Sequence, residues 1–522
     1  MEGLPLILLV LSALAVTAVS QRLRLAAPLA LVVAGLAISA IPGIPAYQLD
    51  PDLVLYVILP PLLYSAALGS SSLQIKANLR PIALLAVGLV LFTTACVGLV
   101  AWWLVPGLPL GAALALGAVV APPDAVSAVA IGRRLGLPRR VMTVLAGESL
   151  FNDATALTVL GVAVAATAGT GFSVWAGIGE FVLVGAGGAA LGAVLGRVVH
   201  QARLRLRDPK LESAVGLVVP FAAYTLAEQV HVSGVLAVVV TGLYLGHHAP
   251  QAGYATRLQD QAVWQAADTV LEAFVFALIG LQLPAVVRGV SDLGPLVVAA
   301  VAVLAAAVLA RVIWVFPAIY LPRVLFTGLR ARDPAPPWQV PAVISWAGMR
   351  GVVTLAAAFS IPLVTGSGAA FPGRAEILFV AFCVTVGTLL IHGLTLPWVI
   401  RRLGVEGRET YDDALAEAGA MYAATQAALQ RLEAASEGMP ESVTTRLRTA
   451  AEHRSHSVWE RLGRPETELG EAPSVIYRRL RLEMLTAERE TLVALRDSGR
   501  IDDQVLSRTL RELDLEEAML AR

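Results

Sequence analysis

A chain of 522 residues that is 57% apolar and only 15% charged, with a mean hydropathy of +0.72, is too apolar for a soluble protein of this size. Zero formal net charge and two cysteines, Cys96 and Cys383, each inside an apolar run, give no sign of a nucleic-acid partner, a disulfide framework or a metal cluster. What remains is a bilayer protein: its apolar runs of about 20 residues have the length of membrane-crossing helices, and they lack the period-two alternation of barrel strands.

About thirteen such segments are expected, over residues 4–20, 25–42, 52–69, 80–105, 109–131, 140–167, 173–199, 212–230, 233–246, 260–283, 292–321, 338–362 and 374–400. Glu2 leads directly into the first run with no basic stretch, which reads as a retained helix rather than a signal peptide. Counting Lys and Arg in alternate loops gives eighteen on one side, from Arg22 to Arg402, against Arg288 and Arg374 on the other. Positive charge is retained in the cytoplasm, so this asymmetry predicts an outside N-terminus and a cytoplasmic C-terminus.

The segment 109–131 contains Ala121-Pro122-Pro123-Asp124. Proline cannot donate to the carbonyl four residues back, so the helix is expected to break here, freeing carbonyls of which that of Pro123 is a possible cation ligand. Asp124 is placed at the N-terminus of the second half-helix, where the dipole favours its charge. The bland alternative is a kink with an ordinary N-cap. In the next segment Glu148, Ser149, Asn152 and Asp153 fall within one sector of a helical wheel. Acids in hydrocarbon face a cavity, pair, or mark an ion path, and this oxygen set suits a monovalent cation at Asp153 and Ser149, with Glu148 and Asp124 beside it. The same carboxylate can hold a proton instead.

Further along, Asp268 and Glu272 lie four apart on one face; Asp268 is read as lying near the membrane edge, leaving Glu272 as the acid to pair with an arginine. Arg311 and Arg350 are too deep in their segments to reach the interface and need partners. Gly348 and Gly351 around Arg350 allow a second interrupted helix, and paired interruptions in opposite halves point to a transporter site built from inverted repeats. No phosphate loop, zinc spacing or nucleophile triad is present. From about residue 404 the chain turns Glu-, Arg- and Ala-rich, as expected of a soluble helical domain with breaks near Gly438–Pro440 and Gly463–Pro473. The domain reading is therefore 1–403 in the membrane and 404–522 in the cytoplasm.

LPPLLYSAAL (59–68), APPDAVSAVA (121–130), GESLFNDATAL (147–157), FALIGLQL (276–283), WAGMRGVVTLA (346–356) and HGLTLPWVIRRLG (392–404) together resemble the sodium/proton exchanger branch, NhaP-like and NHE-like, of the monovalent cation/proton antiporters. The resemblance implies an all-α polytopic membrane protein of thirteen helices with two broken crossing helices. It also implies a homodimer with a mobile six-helix core in a bacterial plasma membrane. It implies that Asp153 carries the ion or proton, with Asn152 as its pair-mate and Glu148, Ser149 and Asp124 as companions. Arg311 is expected to reach toward that pair, and the Asn-Asp pairing to give electroneutral exchange of one Na+, or else Li+ or K+, for one proton, without a cofactor. Two positions depart from the family: Pro123 where a threonine is frequent, and Ser65 where an acid is usual, so that Arg350 is left to Glu272 or to a backbone carbonyl. A cation channel and an intramembrane enzyme using Glu148 and Asp153 are the readings from other classes.

Overall fold

Proline shapes how the helices begin and break. Pro60 and Pro61 have no N–H for the carbonyls of Tyr56 and Val57, and the preceding turn widens to a π-type turn over Leu53–Ile58, closed by Leu59 N–H onto Val54. A computed structural model describes residues 3–23, 25–41, 51–167, 174–206, 208–290, 292–365, 368–405, 407, 409–436, 440–460, 473–498 and 500–520. Two compact units result, Met1–Gly407 and Arg408–Arg522.

The first unit is helical throughout its long elements: α1 (Gly3–Arg22), α2 (Ala27–Ser39), α3 (Leu53–Leu68), the short α4 (Ser72–Ala77), α5 (Leu79–Leu104), α6 (Leu110–Val120), α7 (Ala125–Arg134), α8 (Arg139–Thr167), α9 (Val174–Leu206), α10 (Pro209–Gln229), α11 (Gly234–His248), α12 (Tyr254–Val287), α13 (Leu293–Leu325), α14 (Gln339–Trp346), α15 (Val352–Phe359) and α16 (Arg374–Leu403). Every one of the thirteen expected segments coincides with one of these helices or with a pair of half-helices. Among the described residues seven helices, α5, α8, α9, α10, α12, α13 and α16, are long and apolar enough to cross a membrane, while α1, α2, α3 and α6 are apolar but shorter. The chain is an all-helical polytopic membrane protein.

Its polarity is that of a bilayer protein. On α13, Val298, Val301, Leu309 and Ile313 face outward while Arg311 is 1% exposed. Where helices cross closely, the contact is made by small residues: Gly35 of α2 and Gly280 of α12 face each other with no room for a Cβ on either. Both expected interruptions are present. The chain leaves helix between Val120 and Ala125, at the double proline, and again between Trp346 and Val352, around Gly348 and Gly351.

The second unit consists of Glu409–Ala435 packed on Glu441–Glu460, and Pro473–Asp497 packed on Asp503–Leu520. The latter pair is laced by Arg481 with Glu516 and Glu488, both at 2.7 Å, and by Arg489 with Asp514 and Glu517. Arg481 holds the Glu516 carboxyl below the ordinary glutamate value. The breaks expected near Gly438 and Gly463 lie largely outside the described residues, as do Arg24 and Arg207.

Candidate ion-binding site

The two interruptions meet. Asp124 N–H donates to the Met349 carbonyl at 2.7 Å, and Arg350 Nε donates to the Val120 carbonyl at 3.0 Å. Four half-helix ends converge at this crossing, two of each polarity, and each polarity is met by one side chain. Val120 ends α6 and Trp346 ends α14; Arg350, 1% exposed, donates to Val120 O and, through Nη1 at 2.6 Å, to Gly348 O. Its cation therefore faces the carboxyl ends of two half-helices, where the dipole is negative. Asp124 caps α7 by accepting from Val126 N–H at 2.9 Å, and it lies against Gly351, the N-cap of α15. Its carboxylate thus faces two positive ends. Thr388 of α16 accepts from Arg350 N–H at 3.1 Å and anchors this break to a continuous helix.

Gly351 is required for space and not for its dihedral angles, which are extended. A Cβ there would land on the Asp124 carboxylate. Gly351→Ala is therefore expected to cost about 1–3 kcal/mol by overpacking and to lower transport at least ~10-fold. Gly161→Ala, on α8 with open space around its Cβ, serves as the control and should leave both unchanged. Thermal unfolding in detergent and flux in proteoliposomes check the pair.

Opposite the crossing runs α8. Glu148, Asn152 and Asp153 are buried, at 1%, 0% and 6% exposure, and Ser149 is half-buried. Asn152 Nδ2 donates to the Pro123 carbonyl at 2.7 Å, tying α8 to the broken stretch of backbone; its Oδ1 is buried and, among the described residues, has no donor. Asp153 lies midway along α8. Among the described residues no donor or cation reaches its carboxylate, and Asp124 is its charged neighbour.

Several expectations change here. Glu148, expected among the ion ligands, has both oxygens taken by Arg311, Nη1 to Oε1 at 2.5 Å and Nη2 to Oε2 at 2.8 Å. Arg311 thus reaches α8 one turn before the Asn-Asp pair, and its Nε goes to Ile344 O at 3.2 Å. The Pro123 carbonyl, expected to face an ion, is engaged by Asn152. Arg350 and Glu272 do not pair: the freed helix-end carbonyls satisfy the guanidinium, and the acidic neighbours of Glu272 are Asp268 and Asp124.

The sequence reading set Asp268 aside. Ser65 of α3 donates to Asp268 Oδ2 at 2.5 Å, so the carboxylate missing from α3 is supplied at that place by α12. The signal was the i, i+4 spacing of Asp268 and Glu272, which puts both on the face of α12 that meets α3. Met349 and Thr388 also entered the site unannounced, Met349 through a backbone oxygen that carries no sequence signature, while the Val120 carbonyl lies in the stretch where the double proline was expected to free carbonyls.

A family described as sodium/hydrogen exchanger, transmembrane, matches residues 8–402. A Mycobacterium bovis protein named as an uncharacterized Na+/H+ exchanger is 34% identical over 99% of this chain and 96% of its own length. A Na+/H+ antiporter from Aphanothece halophytica is 33% identical over 81% of this chain and 77% of its own. Among solved structures, the sodium proton antiporter of Methanocaldococcus jannaschii at pH 8 superposes with a TM-score of 0.60, covering 76% of this chain and 97% of that one at 16% identity.

Proposed function

The chain belongs to the sodium/hydrogen exchanger family, whose members are secondary transporters and not enzymes, and from that premise we propose that Asp153 is the group that alternately carries a cation and a proton across the membrane. The observation that carries this reading is the contrast around the crossing. Glu148, Arg311, Arg350 and Asp124 each have protein partners, whereas among the described residues the buried Asp153 carboxylate has no donor or cation. A bare carboxylate in a low dielectric is costly, and it is relieved by either load. Cation and proton then compete for one place, which is the requirement for exchange.

The remaining roles follow from contact. Ser149 and Asp124 complete the cation's oxygen set; Asn152 holds α8 to the Pro123 carbonyl; Arg311 with Glu148, and Arg350 with the helix ends, keep the scaffold charged but balanced. Na+ is the cation supported by the names of the relatives, with Li+ and K+ as further candidates since the same oxygens serve all three. Thirteen spans with inverted repeats, alternating access by a mobile core, a homodimer, an outside N-terminus and a cytoplasmic unit after residue 407 complete the proposal. The count of Lys and Arg in the loops supports that orientation.

Asn152 beside Asp153 leaves one carboxylate in the pair, so one cation exchanges for one proton. In proteoliposomes with an internal pH indicator, the Na+ gradient at which proton flux vanishes should be the same at zero and at about −100 mV. A single uncompensated charge would feel ~2.3 kcal/mol per 100 mV and move that gradient by nearly two decades. Such a movement would refute the one-for-one exchange, and replacing Na+ with K+ or Li+ ranks the cations.

A further inference from the structure

Away from the crossing, the ends of α5, α8 and α13 meet at an unbalanced set of charges. Asp333, in the segment after α13, lies 2.7 Å from Arg323 Nη2, 2.8 Å from Arg140 Nη1 and 3.1 Å from Arg80 Nη2. Burial works against the Asp333 carboxylate, but the three guanidiniums outweigh it and hold its pKa below the ordinary aspartate value. The acid is therefore charged at neutral pH, and the group has three positive charges against one negative. Arg140 Nε goes to Asn78 Oδ1, a neutral acceptor that removes none of the excess. Arg80 Nε and Nη1 are shielded from solvent and, among the described residues, have no acceptor. Shielded guanidinium donors beside surplus positive charge call for an anion with several acceptor oxygens, the property of a phosphate.

The residue before Arg80 belongs to a different environment. Leu79 begins the wall of an apolar cavity of about 300 Å³ between α5, α8, α9 and α11, continued by Ile82, Ala86, Phe151, Val182 and Leu236. Near the arginines, Phe326 and Trp338 are 64% and 57% exposed, as aromatic residues are at the headgroup level of a bilayer. The cationic cluster and the hydrocarbon-lined cavity are thus joined through the consecutive residues Leu79 and Arg80 at the start of α5. We infer that Arg80 and Arg140, beside the fully engaged Arg323, bind the phosphate of an anionic phospholipid whose acyl chain occupies this cavity. The charge complementarity selects the headgroup, and the apolar wall selects a lipid over a soluble anion.

Native mass spectrometry of the full chain, titrated in mild detergent with phosphatidylglycerol or phosphatidylcholine, tests this. The wild-type protein should retain phosphatidylglycerol in preference to phosphatidylcholine. Arg80→Gln should weaken phosphatidylglycerol about fivefold and Arg80→Gln with Arg140→Gln about 30-fold, leaving phosphatidylcholine unchanged. Ala86→Phe, which fills the cavity, should weaken phosphatidylglycerol but not soluble glycerol phosphate. Equal retention of the two lipids, or indifference to Arg80→Gln, would overturn the site. Displacement of phosphatidylglycerol by glycerol phosphate, with Ala86→Phe without effect, would overturn the lipid and leave a free-anion site. Melting temperatures in lipid-free detergent identify any variant that fails to fold, and the single Arg80→Gln variant, at a partly exposed position, then decides.

Discussion

Asp153→Asn should lose cation-driven proton movement by at least about 100-fold, equivalent to ~2.7 kcal/mol or more of barrier, while folding at least as well as the wild type. Asparagine keeps the shape and an oxygen but takes up neither load. The folding half of the expectation is the more diagnostic. Among the described residues the wild-type carboxylate has no protein donor, so at alkaline pH, where neither load relieves it, removing its charge removes a desolvation cost and should raise the melting temperature in cation-free buffer. Na+ should raise the wild-type melting temperature with increasing concentration and leave that of Asp153→Asn unmoved, since only a state that binds the ion is stabilised by it. Retained flux, or an Na+-dependent melting temperature in the variant, would place the carrier group elsewhere, with Asp124 the next to examine.

Arg311→Leu should be the most destabilising single change in the membrane unit. It leaves Glu148, 1% exposed, charged and alone, and removing one member of a buried pair costs about 3–5 kcal/mol. Glu148→Leu should be as damaging for the mirror-image reason. The double variant, Glu148→Leu with Arg311→Leu, removes both charges and should recover most of the loss, so the two effects are far from additive. Thermal unfolding of the four proteins in detergent gives the coupling directly. If the double variant fell by the sum of the singles, the pair would not act as a unit, and the Arg311 bond to the Ile344 carbonyl would carry the stability instead.

The parts of this architecture legible in the sequence are those with a local cause. A proline removes a donor from its own helix, so the interruption after Val120 was visible in Pro122 and Pro123 alone; the wheel positions of Glu148, Asn152 and Asp153 needed only the helical period. What was not legible is which helices are neighbours. Glu148 and Arg311 are 163 residues apart, Ser65 and Asp268 203, and Arg80 and Asp333 253. Composition says that a buried arginine needs an acceptor but not whose. For Arg350 the sequence left Glu272 and a backbone carbonyl as equal alternatives, and the acceptors are main-chain carbonyls at the breaks themselves. The same blindness passed over Asp268, whose worth lies in a serine on another helix.

The balance of charge at the crossing has a further consequence. Arg311 answers Glu148 directly, and Arg350 and Asp124 each face helix ends of the opposite polarity, so on the proposed mechanism the charge that changes during the cycle is that of Asp153. Loaded with either a cation or a proton, Asp153 is neutralised and can change sides; empty, it would add one bare negative charge to whatever crosses the hydrocarbon. On the proposed mechanism no separate latch is needed to forbid the empty return. Slippage is suppressed by the same dielectric penalty that makes the aspartate bind, and the tightness of coupling becomes a property of the bilayer as much as of the protein.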